Sequence, residues 1–245
     1  MIIIKSLLLS RFSEILFGFS TKVHSGCETP FNFNLSRSVG DNSNVVNQNR
    51  KKFLNELGFE ATDVVFQKQV HGDEISIIEN SDYCVESDAM ITQNPGIALA
   101  ISTADCTPIF MFDKKRKIIA GIHSGWRSTT KKITSKTIQL LINDFNVDPN
   151  DLYVYIGPSI SQANYEVGYE VAAQFDSKYV MNVNHKLLLD VAGCNYDMLI
   201  QNEIPVENIQ RSKLCTYQQK NLLHSYRRDG LKSGRALGVI YLRQK

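Results

Sequence analysis

The chain has 245 residues, 43% hydrophobic and 21% charged, ordinary for a water-soluble fold and enough for one large domain or two small ones. Lys and Arg exceed Asp and Glu by a net +2, and the pI is near 8.2, too mild a balance to argue for nucleic acid. No apolar run approaches the ~18–20 residues that span a bilayer, and five cysteines without a CxxC pair point to free thiols in a reducing compartment rather than a disulfide framework.

The N-terminal stretch MIIIKSLLLSR is split by Lys5 and lacks a small-x-small cleavage pattern, so it reads as a strand rather than an export signal. The expected location is the cytoplasm. Strands are expected over 2–9 and 15–19. A polar loop from Thr21 to Asn44 follows, carrying Arg37 in NLSRSVGD; a loop of that length usually has a job, such as lining a site. Ser43 should cap a helix over Asn44–Leu57, which Gly58 ends. Arg50 lies within it and is by default a surface arginine.

Strand-like runs crowd the next segment, at 64–70, 75–79, 88–92, 97–102, 108–112 and 117–122. With short connections and no helical pattern between them, some must pair antiparallel. A helix over about 130–145 has an apolar stripe at Ile133, Ile138, Leu141, Ile142 and Phe145. Then come a strand at 152–156, a helical segment at 165–176, a short LLLD strand, a helix over 190–202, and strands at 209–214 and Ala236–Leu242. No repeat or linker divides the chain. The expected fold is a single α/β (α+β) domain over 1–245, a sandwich of mixed β-sheets with helices outside. A doubly wound parallel sheet is the alternative.

Three of these runs end in residues that bind metals: His71, Asp105-Cys106 and His123. His, Cys and His match a catalytic zinc set of three protein ligands and one open position, although their spacing forms no short local motif. Taken singly, a buried cysteine is usually a small hydrophobe and a histidine at a strand end usually a hydrogen-bonded structural residue. Asp105 adjoins the cysteine and can tune a ligand from behind. Gly72 and Gly125 permit close backbone approach beside two of the ligands. After His123 the sequence continues GWRSTTKK, where Arg127 and a hydroxyl-rich helix start could hold an anion; plain helix capping by one of Ser128–Thr130 is the simpler reading. There is no GxxxxGK[ST] and no GxGxxG, hence no expectation of a dinucleotide.

Several motifs in order carry a wider resemblance: GFSTKVHSGCETPFNFNLSRSVGD, QVHG (Gln69–Gly72), TADCTPI (Thr103–Ile109), HSGWR (His123–Arg127), IGPSIS (Ile156–Ser161), YEVG (Tyr165–Gly168) and SYRRDG (Ser225–Gly230). The chain resembles, almost end to end, the YfiH family, also called laccase-domain or multicopper polyphenol oxidase proteins. The resemblance implies an α/β sandwich shared with some deamidating toxins, and a metal site at His71, Cys106 and His123. It also implies phosphorolysis of adenosine, inosine, guanosine and methylthioadenosine, deamination of adenosine, and a described role in removing wrongly built cytoplasmic peptidoglycan precursors. The older label implies copper and phenols. This chain has Ser124 where the family usually has Ala, and Ser36 and Ser38 where it usually has Gly and His.

These residues suit a zinc-dependent purine nucleoside enzyme, with nucleosides and phosphate as partners and neither nucleic acid nor membrane. Laccase chemistry needs several coppers and many histidines, and the chain has five histidines in all; copper is the lesser expectation. Arg127, Arg50 and Arg37 are candidate phosphate holders, Gln69 and Glu166 candidate substrate contacts, and Asp105 or Glu166 the carboxylate for proton transfer. A cysteine hydrolase with Cys106 as nucleophile and His123 or His71 as base, and a pure binding module, are the other classes.

Overall fold

A computed structural model describes residues 1–26, 29–58, 64–81 and 84–244, with the backbone alone for Cys84 and Val85. Two six-stranded sheets form its centre. The first runs in the order β1 (Ile3–Ile4), β2 (Ile15–Ser20), β15 (Ala236–Leu242), β7 (Ala98–Thr103), β3 (Val64–Lys68), β5 (Cys84–Glu86). The second runs β14 (Ile209–Arg211), β10 (Leu152–Ile156), β8 (Thr107–Asp113), β9 (Ile118–Ser124), β6 (Ala89–Thr92), β4 (Ile75–Ile77). Both sheets are mixed: β3 pairs parallel with β7 while β15 pairs antiparallel with it, and β6 pairs antiparallel with β9 and parallel with β4. The mixed sandwich expected from the sequence is therefore present, and the doubly wound alternative is not.

Side-chain alternation explains the layering. Along β8, Phe110 and Phe112 enter the core between the sheets, whereas Ile109 and Met111 face the second sheet's outer layer. Along β7, Leu99 and Ile101 face inward while Ala98 and Ala100 face α1 (Ser43–Leu57). Each sheet is thus buried on both faces, which is why the central strands read as near-continuous apolar runs. Helices α3 (Ile133–Phe145) and α5 (Val191–Gln201) cover the second sheet through Ile133, Ile138, Leu141 and Leu199. A three-stranded sheet, β11 (Glu166–Val167), β13 (Lys186–Leu189), β12 (Val180–Val183), stands apart from both.

Several expected boundaries change. The strand expected at 2–9 keeps two residues; Ser6 Oγ accepts from Leu9 N and turns the chain into a 3-10 helix. Asn42, not Ser43, caps α1, its side chain accepting from Asn44 N. The helix expected over 130–145 is α3, starting at Ile133; a separate short helix, α2 (Trp126–Thr130), precedes it, and Lys132 takes a left-handed backbone between the two. The helical segment expected at 165–176 shrinks to α4 (Tyr169–Ala172) after β11, since Glu166 and Val167 pair with Leu188 and Leu187. Cys106, Cys194 and Cys215 are free thiols; Cys27 and the Cys84 side chain lie outside the described residues.

Candidate metal centre

The centre lies where the chain crosses between the two sheets. β3 of the first sheet ends at Lys68, and His71 follows in a left-handed turn (φ 57°). β7 of the first sheet leads into β8 of the second through Ala104-Asp105-Cys106, a turn closed by Thr103 Oγ1 donating to Cys106 O at 2.6 Å. β9 delivers His123, whose register partner on β8 is Pro108, two residues after the cysteine. The sequence-expected triad therefore converges: the ligand atoms of His71, Cys106 and His123 lie within 4.8 Å of one another. The two imidazoles stand edge to face with centroids 4.8 Å apart.

Gly125 shows how closely this space is used. A Cβ there would lie 3.1 Å from Cys106 Sγ and 3.3 Å from His71 Cδ2. Its backbone (φ −80°, ψ 178°) is open to any residue, so proximity rather than conformation asks for glycine.

Charge is concentrated here. Burial alone would push the Cys106 thiol up, but the adjacent His123 and His71 outweigh it and bring it down to about 6. Burial alone would push His123 down, but the Cys106 sulfur and the Asp88 carboxylate hold it up at about 9. Each favours the charged form of the other, the thiolate lying beside the imidazolium.

Asp88 was not singled out from the sequence. Its carboxylate is fully buried, with Oδ1 2.8 Å from His123 Nδ1 and Oδ2 accepting from Gly72 N at 2.6 Å and Val70 N at 3.2 Å. The available signal was an acid at the first position of the expected apolar strand 88–92, where burial demands partners. Asp105 adjoins the thiol, buried, in a left-handed backbone (φ 90°). Its oxygens accept from Thr216 Oγ1 and from Arg227 N, both at 2.6 Å. Arg227, inside the SYRRDG motif but given no role from sequence, also donates to Glu166 O at 2.6 Å and lies over the Tyr165 ring at 4.9 Å.

A cavity of about 610 Å³ opens beside His71, walled by Val70, Trp126, Arg127, Lys131 and Gln174. Arg127 is exposed there and stacks its guanidinium 4.2 Å from the Trp126 ring. Glu166 lines a separate groove of about 440 Å³ with Asn164, Lys186, Tyr217 and Arg227, and pairs with Lys186 at 2.8 Å. Gln69 clamps the strand end before His71 to β7, exchanging two hydrogen bonds with the Ser102 backbone at 2.7 and 2.8 Å.

The remaining candidates sit elsewhere. Arg50 donates to Leu35 O at 2.7 Å and lies 3.9 Å over the Phe66 ring; burial, then Arg37, pushes it down to about 10. Arg37 grips Asn47 Oδ1 with two nitrogens at 3.1 and 2.7 Å. Of the hydroxyls after Arg127, Ser128 and Thr129 turn inward, Thr129 donating to Gly125 O and Ser128 finding no partner among the described residues; half-buried Thr130 donates to Arg127 O and lines the cavity beside it. Ser124 joins Thr129 and Asn195 in a buried network at 2.8 and 3.0 Å, so its hydroxyl is used in packing α2.

Fold and site together define a class: a two-sheet α/β sandwich that gathers His, Cys and His at its sheet crossover, a donor set suited to a metal ion. The family model described as multi-copper polyphenol oxidoreductase laccase matches residues 16–243, and the chain belongs to this family, that of YfiH and YlmD. A protein of Clostridium acetobutylicum named purine nucleoside phosphorylase is 32% identical over 88% of this chain and 89% of its own length. One of the same name from Bacteroides thetaiotaomicron is 31% identical over 96% of this chain and 94% of its own. Among solved structures, YlmD of Geobacillus stearothermophilus superposes with a TM-score of 0.90 at 28% identity, covering 95% of this chain and 93% of that one. The hypothetical protein YfiH of Bacillus licheniformis gives 0.89 at 29%, covering 94% and 93%.

Proposed function

We propose that the chain is a zinc-dependent purine nucleoside phosphorylase of the cytoplasm, its catalytic domain spanning 1–245. Its reactions are phosphorolysis of adenosine, inosine, guanosine and methylthioadenosine to base and the ribose or methylthioribose 1-phosphate, and deamination of adenosine to inosine. The observation that carries this reading is the His71–Cys106–His123 cluster beside a cavity holding Arg127. It is supported by the name purine nucleoside phosphorylase borne by relatives that match most of the chain.

The donors fit zinc. His123 commits Nδ1 to Asp88, leaving Nε2 for a metal; the thiol is already acidic; and three protein ligands leave one position open. Zinc bound there would supply Lewis acidity and a water activated near neutral pH. Arg127 and Lys131, on one cavity wall, are the cations we assign to phosphate. Lys131 is shared with Asp73 at 3.1 Å, so Arg127 is the freer of the two. Gln69 acts through the position of His71, and Arg37 and Arg50 through the loop and helix they brace. Of the carboxylates, Asp105 is assigned to proton handling in deamination, since it adjoins Cys106 and each oxygen keeps a free lone pair; Glu166 is assigned to the groove beyond Arg227.

The copper reading asks for more ligands. Among the described residues one His/Cys cluster forms, with three members, against the several coppers of laccase chemistry. The thiolate–imidazolium pair favours a second reading, a cysteine hydrolase acting on peptidoglycan precursors. Incubation with adenosine, with and without phosphate, separates the readings. Adenine and ribose 1-phosphate should form only with phosphate, and inosine in both. A protein inert toward nucleosides whose Cys106 is alkylated by iodoacetamide even with zinc present would favour the hydrolase.

A further inference from the structure

Both histidines of the cluster depend on one side chain that is not itself in the cluster. Asp88 sits immediately before β6, fully buried, and its backbone carbonyl accepts from His123 N at 2.7 Å while its carboxylate meets His123 Nδ1 at 2.8 Å. The other carboxylate oxygen accepts from Gly72 N and Val70 N, the amides on either side of His71. His71 itself holds a left-handed backbone, which a non-glycine residue adopts only when its surroundings impose it. We infer that Asp88 is a positioning residue for the metal, presenting His123 Nε2 and locking the His71 turn with a single carboxylate.

The hydrogen-bond inventory makes this specific. An ionised carboxylate only accepts, so the proton of the facing imidazole nitrogen sits on Nδ1 and the lone pair of a neutral ring sits on Nε2. Asparagine has nearly the same shape but one acceptor and one donor end. If its oxygen faces Gly72 and Val70, its NH2 faces Nδ1, which must then accept, and the ring proton moves to Nε2 where the metal would bind. If the amide flips, its NH2 opposes two backbone N–H donors and the His71 turn loses its anchor. Either way one of the two histidines is spoiled. The inference rests on the zinc reading above, and its test separates the two.

Zinc affinity is measured by chelator competition for the wild type, Asp88→Asn and Asp88→Glu. Asp88→Asn should bind zinc ten- to a hundredfold more weakly. Asp88→Glu, which keeps both acceptors, should recover part of that loss. Imidazole 15N shifts of the zinc-loaded wild type, which need no variant to fold, should place metal on His123 Nε2 and the proton on Nδ1. Metal on Nδ1, or Asp88→Asn binding as tightly as a zinc-binding wild type, overturns the assignment alone. A wild type that takes up no zinc overturns the zinc reading and the assignment with it.

Discussion

Asp105 and Thr216 are 111 positions apart in sequence and 2.6 Å apart in space, the threonine hydroxyl donating to the carboxylate beside Cys106. With Arg227 N on the other oxygen, this bond fastens the segment from Cys215 to Asp229 against the turn that carries the thiol. Thr216→Val keeps the shape and removes the donor. It should cost about 1–3 kcal/mol of unfolding free energy, the usual penalty for stripping a partner from a buried charged acceptor. Urea denaturation measures it; a change within about 0.3 kcal/mol would mean the bond is dispensable.

Gly125→Ala adds one carbon against two ligands and nothing else, since the backbone there accepts alanine. Zinc affinity should fall about tenfold or more, while the melting temperature of the metal-free protein moves only a few degrees. Equal affinity with unchanged melting would show that the ligands shift freely to make room.

His224 gives the fold a pH dependence separate from the metal. It is buried against Phe33 O at 3.2 Å, and burial pushes it down to about 4 from an ordinary 6.5. The unfolded chain therefore takes up this proton first as pH falls. Stability is undiminished above about 6.5, declines between there and about 4, and levels off below. The full loss is roughly 3 kcal/mol at about 1.4 kcal/mol per unit. His224→Gln should flatten the fall of melting temperature over that window; an unchanged slope would assign it to other groups.

Arg127→Ala should raise the apparent KM for phosphate and lower phosphorolysis roughly thirty- to a hundredfold, the worth of one charge-assisted contact of about 2–3 kcal/mol. Zinc content should stay the same. Deamination takes water instead of phosphate and should fall less. Equal losses in both activities, with zinc and fold intact, would make Arg127 a general wall of the cavity beside Trp126 rather than a phosphate ligand.

The central strands were legible because burial on both faces wrote them as apolar runs; Ala236–Leu242 matches the expected strand residue for residue. Short edge strands were not: Val180–Val183 is mostly exposed and carries no alternation, and Glu166–Val167 is a strand only through its partner Leu187-Leu188. The break before Ile133 was hidden because lysine is a good helix former, and nothing in its type announces the left-handed backbone Lys132 takes. The three cluster residues stood out by type at strand ends. Asp88 did not, because an acid at the first position of the expected strand 88–92 gives no sign of the partners it meets once the fold closes over it. The groove beyond Tyr165 and Arg227 is assembled from three separate segments between Ala163 and Arg227, which no local pattern announces.

The most direct test of the central claim is elemental analysis of the purified wild type and Cys106→Ala, with phosphorolysis of adenosine assayed on the same samples. The account predicts about one zinc per wild-type chain, and loss of metal and activity together in the variant. Full zinc occupancy in Cys106→Ala, or phosphorolysis by a wild type freed of metal, would contradict it.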